Sequence, residues 1–289
     1  MINFMKLRWL YFTISLLVIV PGVISLVLYG LKPSIDFTGG SLLEISVPAD
    51  QAITLERAQE LAGERFVVNS VQPSSINQYI LKGSEMTNEQ KTQVLSSLRE
   101  GYGDVAELRF ERVGATISSE LVTKTLTGVA IVATAITLFV SRQFKEWRYG
   151  ISAILAMLHD TLVLLGLFSL FGHFWNVQVD VLFVTALLTT LSFSVHDTIV
   201  VYDRIRELRR KHSNEQFVTL INLAVTETLS RSLNNSITII LMLTSLVLLG
   251  GETIRLFALA LLIGAVTGTY SSTFTAAPLL LFWERAKKK

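Results

Sequence analysis

Two carboxylates of this chain stand where carboxylates are costly. Asp197 lies within VLFVTALLTTLSFSVHDTIVVYDRIRE, residues Val181 to Glu207, and Asp160 lies within a second apolar run. A charged side chain in a membrane-spanning segment costs roughly 2.5–3.5 kcal/mol even on lenient insertion scales, so such a group faces protein or water and is a functional candidate. A helix climbing about 1.5 Å per residue from Val181 has risen roughly 24 Å at position 197, inside a hydrocarbon core about 30 Å thick. Arg231 opens another apolar run, with Asn234 and Asn235 behind it. Desolvation disfavours a charged carboxylate and a nearby guanidinium favours it, so a movement that changes the Asp197–Arg231 distance would load or unload a proton. The chemistry expected of this pair is reversible ion binding coupled to conformational change. The plainer alternatives for Arg231 are a snorkelling anchor or an i, i+4 partner for Glu227.

The phrase around Asp197 recurs, HDTIV at 196–200 against HDTLV at 159–163, which puts His196–Asp197 and His159–Asp160 on neighbouring, oppositely running helices. Histidine and aspartate are metal-ligand types. Adjacent helical residues point about 100° apart, however, so only one of each pair easily faces a shared site, and no metal is expected. His159, Asp160, His196, Asn234 and Asn235 are therefore read as relay or packing residues. The chain carries no phosphate-binding G-x-x-x-x-G-K-[ST] loop and no nucleophile elbow, so an enzyme is not expected.

The elements that must hold these residues follow from composition. Of 289 residues 51% are hydrophobic and 17% charged, with a mean hydropathy of +0.51, values that belong to a membrane protein. Runs poor in charge place six spans, at 10–31, 123–142, 149–171, 179–202, 231–250 and 254–283. The first is too long for a signal-peptide core and no A-x-A pattern follows, so a retained anchor is expected. The absence of cysteine excludes disulfides and thiolate-held metals. Lysine and arginine concentrate before the first span, between the second and third, from Arg204 to Arg231 and after the last, whereas the opposite short loops carry only Arg255. By the positive-inside rule the segments 1–9, 203–230 and 284–289 are cytoplasmic, and 32–122 is extracytoplasmic. The basic residues thus follow membrane topology, and no nucleic-acid partner is expected. Segment 203–230 reads as an amphipathic connection with Phe217, Leu220, Ile221, Ala224 and Val225 on one face, suited to the lipid interface. In the sixth span Ala260, Gly264, Gly268 and Ser272 recur every fourth residue, a face for close helix packing.

The extracytoplasmic region alternates strand and helix patterns. Ser41–Val47 is a strand, Thr54–Arg65 a helix, and Phe66–Val71 and Gln78–Lys82 are strands. The T-x-x-Q box at Thr87–Gln90 opens a second helix running to Arg99, with Gly101 as its stop, and Val105–Val113 is a last strand. The order β-α-β-β-α-β predicts an α+β ferredoxin-like domain. Asp36, Phe37, Thr38, Gly39 and Gly40 form a turn where the first span enters it, the glycines permitting positive φ.

Several motifs in one order carry a resemblance: DFTGG at 36–40, VGATISSEL at 113–121, LHD at 158–160, HDTIVVYDRIRE at 196–207 and TLSRSLNNS at 228–236. Together they resemble the SecF subunits of the SecD–SecF family of the RND superfamily, over essentially the whole chain. The resemblance implies an RND-type half membrane fold in the bacterial inner membrane and an obligate pairing with SecD. It further implies association with the SecYEG channel, with YajC and YidC nearby and SecA acting upstream on unfolded preprotein. It implies no cofactor beyond a proton or sodium gradient, with Asp197 as the proton-carrying aspartate and Arg231 its partner. The residue before Asp197, often a polar Asn in relatives, is His196 here. With its first span at the start and its last residue at Lys289, the chain is expected to be a free-standing SecF rather than a SecD–SecF fusion. Alternatives are a subunit of an RND-type small-molecule or lipid exporter, and a scaffold that couples to no ion.

Overall fold

The computed structural model describes residues 3–48, 52–144 and 146–287. The chain divides into two units, Pro33–Thr127 and the helical remainder. In the smaller unit Ser34 caps a single turn, α2 (Ile35–Thr38), by accepting from the Asp36 amide, and Gly39 ends it at φ +72°. Then follow β1 (Gly40–Ser46), α3 (Leu55–Ala62), β2 (Val68–Ser75), β3 (Gln78–Gly83), α4 (Asn88–Tyr102) and β4 (Ala106–Val113). The sheet order is β2-β3-β1-β4 with every pairing antiparallel, the split β-α-β arrangement that the sequence pattern predicts.

Helical periodicity buries Ala58 and Ala62 of α3, and Val94, Leu95, Leu98 and Tyr102 of α4, in one core with Leu43, Ile45, Val68 and Leu81 of the sheet. The capping box forms in full. Thr87 accepts from the Gln90 amide at 3.2 Å, and Gln90 accepts from the Thr87 amide at 2.8 Å. Two boundaries differ from the sequence pattern. Gly101 does not stop α4, which runs on to Tyr102 and is capped by Gly103 at φ +84°. Instead Gly101 leaves room for Leu61, whose Cδ1 would lie 2.6 Å from an added Cβ. On α3 the regular helix ends at Ala62, since Gly63 at φ +57° tightens the chain into a 3-10 turn through Arg65.

The helical unit holds α1 (Arg8–Tyr29), α5 (Ala115–Gln143, entering from the small unit), α6 (Trp147–Trp175), α7 (Val181–Lys211), α8 (Phe217–Leu249), α9 (Glu252–Ser271) and α10 (Ala277–Lys287). A π-helical turn at Ser272–Ala276 joins α9 to α10. Six helices are long and apolar enough to cross a membrane, and the chain is a multi-pass membrane protein. Pro21 lies within α1 without ending it, and Gly22 stacks on Gly166 of α6. Beside them the Ser25 and Ser169 hydroxyls are 2.8 Å apart.

The connection at 203–230 is not an interfacial helix. α7 continues to Lys211 and α8 begins at Phe217. Leu220, Ile221, Ala224 and Val225 are buried with Phe4, Met5, Ile205 and Leu208 in the largest core cluster. The amphipathic face meets protein rather than lipid because α7, α8 and the N-terminal turn together bury it. Lys288 and Lys289, read as part of the cytoplasmic tail, lie outside the described residues.

Gly40 begins β1 at φ +124°, and an added Cβ would run into the Gly83 carbonyl of the neighbouring strand. Gly40→Ala is expected to destabilise the small unit by about 1–3 kcal/mol through overpacking and backbone strain, read as a lower thermal midpoint of the purified protein.

Candidate ion-coupling site

α7 is the helix that the others enclose. Its buried positions include Thr190, Leu191, Ser194, Val195, Asp197, Thr198 and Val201, more than one face of the helix. α9 meets it through the small-residue face. Ala260 is fully buried, a Cβ on Gly264 would strike the Thr190 side chain, and one on Gly268 would stand 3.2 Å from the Ser194 Cα. α8 buries a stripe at Ala224, Val225, Thr228, Ser232 and Ser236, with Ser232 against α7 and Ser236 accepting from Thr269 of α9 at 2.6 Å. Between them Asp197 is 5% exposed, and the Ser232 hydroxyl of α8 donates to its Oδ2.

The expected Asp197–Arg231 pair is not formed. Among the described residues Arg231 makes no ion pair and is exposed. The reason lies in the helix: residue 231 is about 100° around from Ser232, which faces α7, so Arg231 turns to the outside of the bundle. Glu227 does not hold it either, since that carboxylate accepts from Arg204 Nε of α7 at 2.5 Å. Asn234, Asn235 and His196 are exposed as well. Thus His196 and Asp197 separate as adjacent helical residues should.

His159 and Asp160 do not. Both are buried, at 8% and 4% exposure, and His159 Nδ1 lies 2.9 Å from Asp160 Oδ1. α6 is covered by α1 on one flank and by α7 and α9 on the other, so both directions 100° apart are interior and the two side chains bend towards each other. Asp160 Oδ2 accepts from Ser194 of α7 at 2.5 Å and from Ser271 of α9 at 2.6 Å. Among the described residues no three His, Cys, Asp or Glu side chains gather as metal ligands.

The Asp36–Gly40 turn stands apart, in the small unit. Asp36 lies in the first turn of α2, Phe37 is half-buried, and Thr38, Gly39 and Gly40 line an open cleft of about 350 Å³ with Asn69, Ser84 and Glu85. This cleft holds none of the buried ionisable groups.

Residues 93–286 match the family model of the protein export membrane protein SecD/SecF, C-terminal, and residues 24–47 match the SecD/SecF GG motif. The chain belongs to the SecF family. It is 40% identical to the protein translocase subunit SecF of Thermobaculum terrenum, over 98% of this chain and 94% of that one. The corresponding subunit of Anaerolinea thermophila is 38% identical over the same shares. Among solved structures it resembles the translocon-associated membrane protein SecDF of Thermus thermophilus, with TM-score 0.86, 29% identity and 98% of this chain covered. A super-membrane-facing form of SecDF gives TM-score 0.69. This SecF-family chain spans about two-fifths of the SecDF chains, since 39% of each is covered.

The sequence pattern marks the carboxylates but not the hydroxyls around them, Ser194 and Ser271 on Asp160, Ser232 on Asp197 and Ser15 on His159. No spacing along the chain marks them, because each serine reaches a carboxylate or imidazole on a different helix.

The α7–α9 contact yields a paired test. Gly264→Ala is expected to lower the thermal midpoint of the detergent-solubilised protein, and Thr190→Ala in the same chain to restore most of it. A coupling of about 0.5–3 kcal/mol in the double-mutant cycle is the expected result.

Proposed function

We propose that this chain works as the SecF half of a SecD–SecF complex in the bacterial inner membrane, drawing preproteins through the Sec channel at the expense of a proton or sodium gradient. Asp197 is the ion-carrying group. The observation that carries this reading is a carboxylate buried in a membrane-spanning helix and held by a single hydroxyl donor from the adjacent helix. Such a group changes charge when its neighbourhood rearranges, and one charge crossing 100 mV releases about 2.3 kcal/mol.

Pairing with SecD is supported by what the isolated chain leaves uncovered. Arg231, Asn234 and Asn235 form an exposed polar face at the start of a span, and polar side chains in lipid are costly unless protein or water covers them. α5 likewise leaves Leu126, Ile131 and Leu138 each more than 60% exposed. A second membrane half against α8 would cover the polar face and bring Arg231 into a protein interface near Asp197. The charge pattern supports cytoplasmic termini and an extracytoplasmic domain at 32–122, which moves with its SecD counterpart to pull substrate. SecYEG, YajC and YidC are the proposed neighbours, with SecA driving the earlier entry.

The test is preprotein uptake into vesicles with and without a pH gradient, with sodium varied in the same assay. Asp197→Asn and Arg231→Met are each expected to reduce stimulation to the level of vesicles lacking the complex, while SecD still co-purifies with either variant. Full stimulation in both would instead identify a scaffold.

A further inference from the structure

Asp197 is not the only buried carboxylate among the described residues of this bundle, and Asp160 has the more complete surroundings. Asp160 and His159 sit where α1, α6, α7 and α9 meet. We propose that His159 and Asp160 form a second proton-binding site, holding one exchangeable proton on the imidazole against the Asp160 carboxylate.

The hydrogen bonds close with that proton and without it. Without it, His159 is neutral. Its Nδ1–H donates to Asp160 Oδ1 at 2.9 Å, and its Nε2 accepts from the Ser15 hydroxyl of α1 at 3.0 Å. Asp160 remains an anion with three donors, the other two being Ser194 and Ser271. When a proton arrives, one N–H bond forms at Nε2 and His159 becomes an imidazolium. Nε2 now donates to Ser15, whose own proton must turn elsewhere. An acceptor stands ready in the Tyr270 hydroxyl of α9, 3.5 Å away. Tyr270 can accept because its single proton is already given to the Tyr11 carbonyl at 2.8 Å. Loading therefore costs the rotation of one hydroxyl and strands no buried donor or acceptor, where a stranded one would be heavily penalised.

The charge arithmetic favours both states too. Unloaded, the couple is a carboxylate satisfied by three donors. Loaded, it is a neutral imidazolium–carboxylate pair. The ionisable groups facing it are Tyr11 from α1 and Tyr270 from α9, together with Asp197 one helical turn beyond Ser194 on α7. His196 is exposed, away from it. Among the described residues no lysine or arginine makes an ion pair with either member to compete for the carboxylate. Histidine is the side chain suited to exchange near neutral pH.

The site does not depend on Asp197 carrying the coupling ion, and the experiment separates the two. Solid-state nitrogen NMR of the full chain with its SecD partner in lipid nanodiscs, labelled with ¹⁵N-histidine, distinguishes neutral imidazole from imidazolium. The chain has four histidines, and His159→Gln assigns the signal. In the wild type both forms of His159 are expected in a pH series, and likewise in Asp197→Asn. In Asp160→Asn the imidazolium form is expected to vanish from the same series. In Tyr270→Phe, which removes the acceptor used only in the loaded state, the imidazolium-to-neutral ratio at fixed pH should fall three- to tenfold. A His159 that keeps one form throughout, or whose ratio is unchanged in Tyr270→Phe, overturns the proposal. Because the wild-type and Tyr270→Phe measurements stand by themselves, an Asp160→Asn chain that failed to fold would not rescue it.

Discussion

The membrane half depends on the close contact of α9 with α7. Gly264 lets the Thr190 side chain lie against bare backbone, and Gly268 does the same for Ser194. Only at that separation can the Ser271 hydroxyl reach Asp160 on α6 while Ser194 reaches the same oxygen from α7. Lipid tails provide little drive for helices to associate, so packing of this kind and a few buried hydrogen bonds must supply it. The two uses of α7 follow. One flank holds Asp160 through Ser194, and a turn later the other presents Asp197 to α8.

The two carboxylates differ in how firmly they are held. Asp160 has two serine donors and an imidazole, contributed by two other helices and by its own neighbour in sequence. Asp197 has one serine, and the arginine that the family resemblance assigns to it looks outward from α8. A carboxylate so lightly held is open to a change of partner when helices shift, whereas a fully satisfied network fixes the helices around it. Division of labour between a mobile group and a fixed one is consistent with a bundle that must rearrange without coming apart.

Much of this was legible in the sequence because it rests on local rules. The capping box at Thr87–Gln90, the alternation in Ser41–Val47 and the four-residue spacing of Ala260, Gly264 and Gly268 each depend on neighbours along the chain. The direction of Arg231 does not. Whether it faces Asp197 turns on which flank of α8 is covered, and residues 224, 228 and 232 settle that only once α7 is in place. The burial of Leu220 and Ile221 follows the same logic, since an amphipathic stripe looks alike whether lipid or protein receives it. His159 and Asp160 defeated the 100° rule because α6 is enclosed on both flanks, which no single-helix pattern reveals.

The π-turn at Ser272–Ala276 puts one surplus residue into the last membrane helix. At its end the Tyr202 phenol of α7 donates to the Ala276 carbonyl at 2.9 Å. The wrinkle lies directly after Ser271, where the helix touches Asp160. Were the surplus residue to slip along the backbone, everything on its far side would swivel by about 100° while the near side stayed in place. The last helix thus contains its own swivel joint, with Tyr202 among the side chains that pin it.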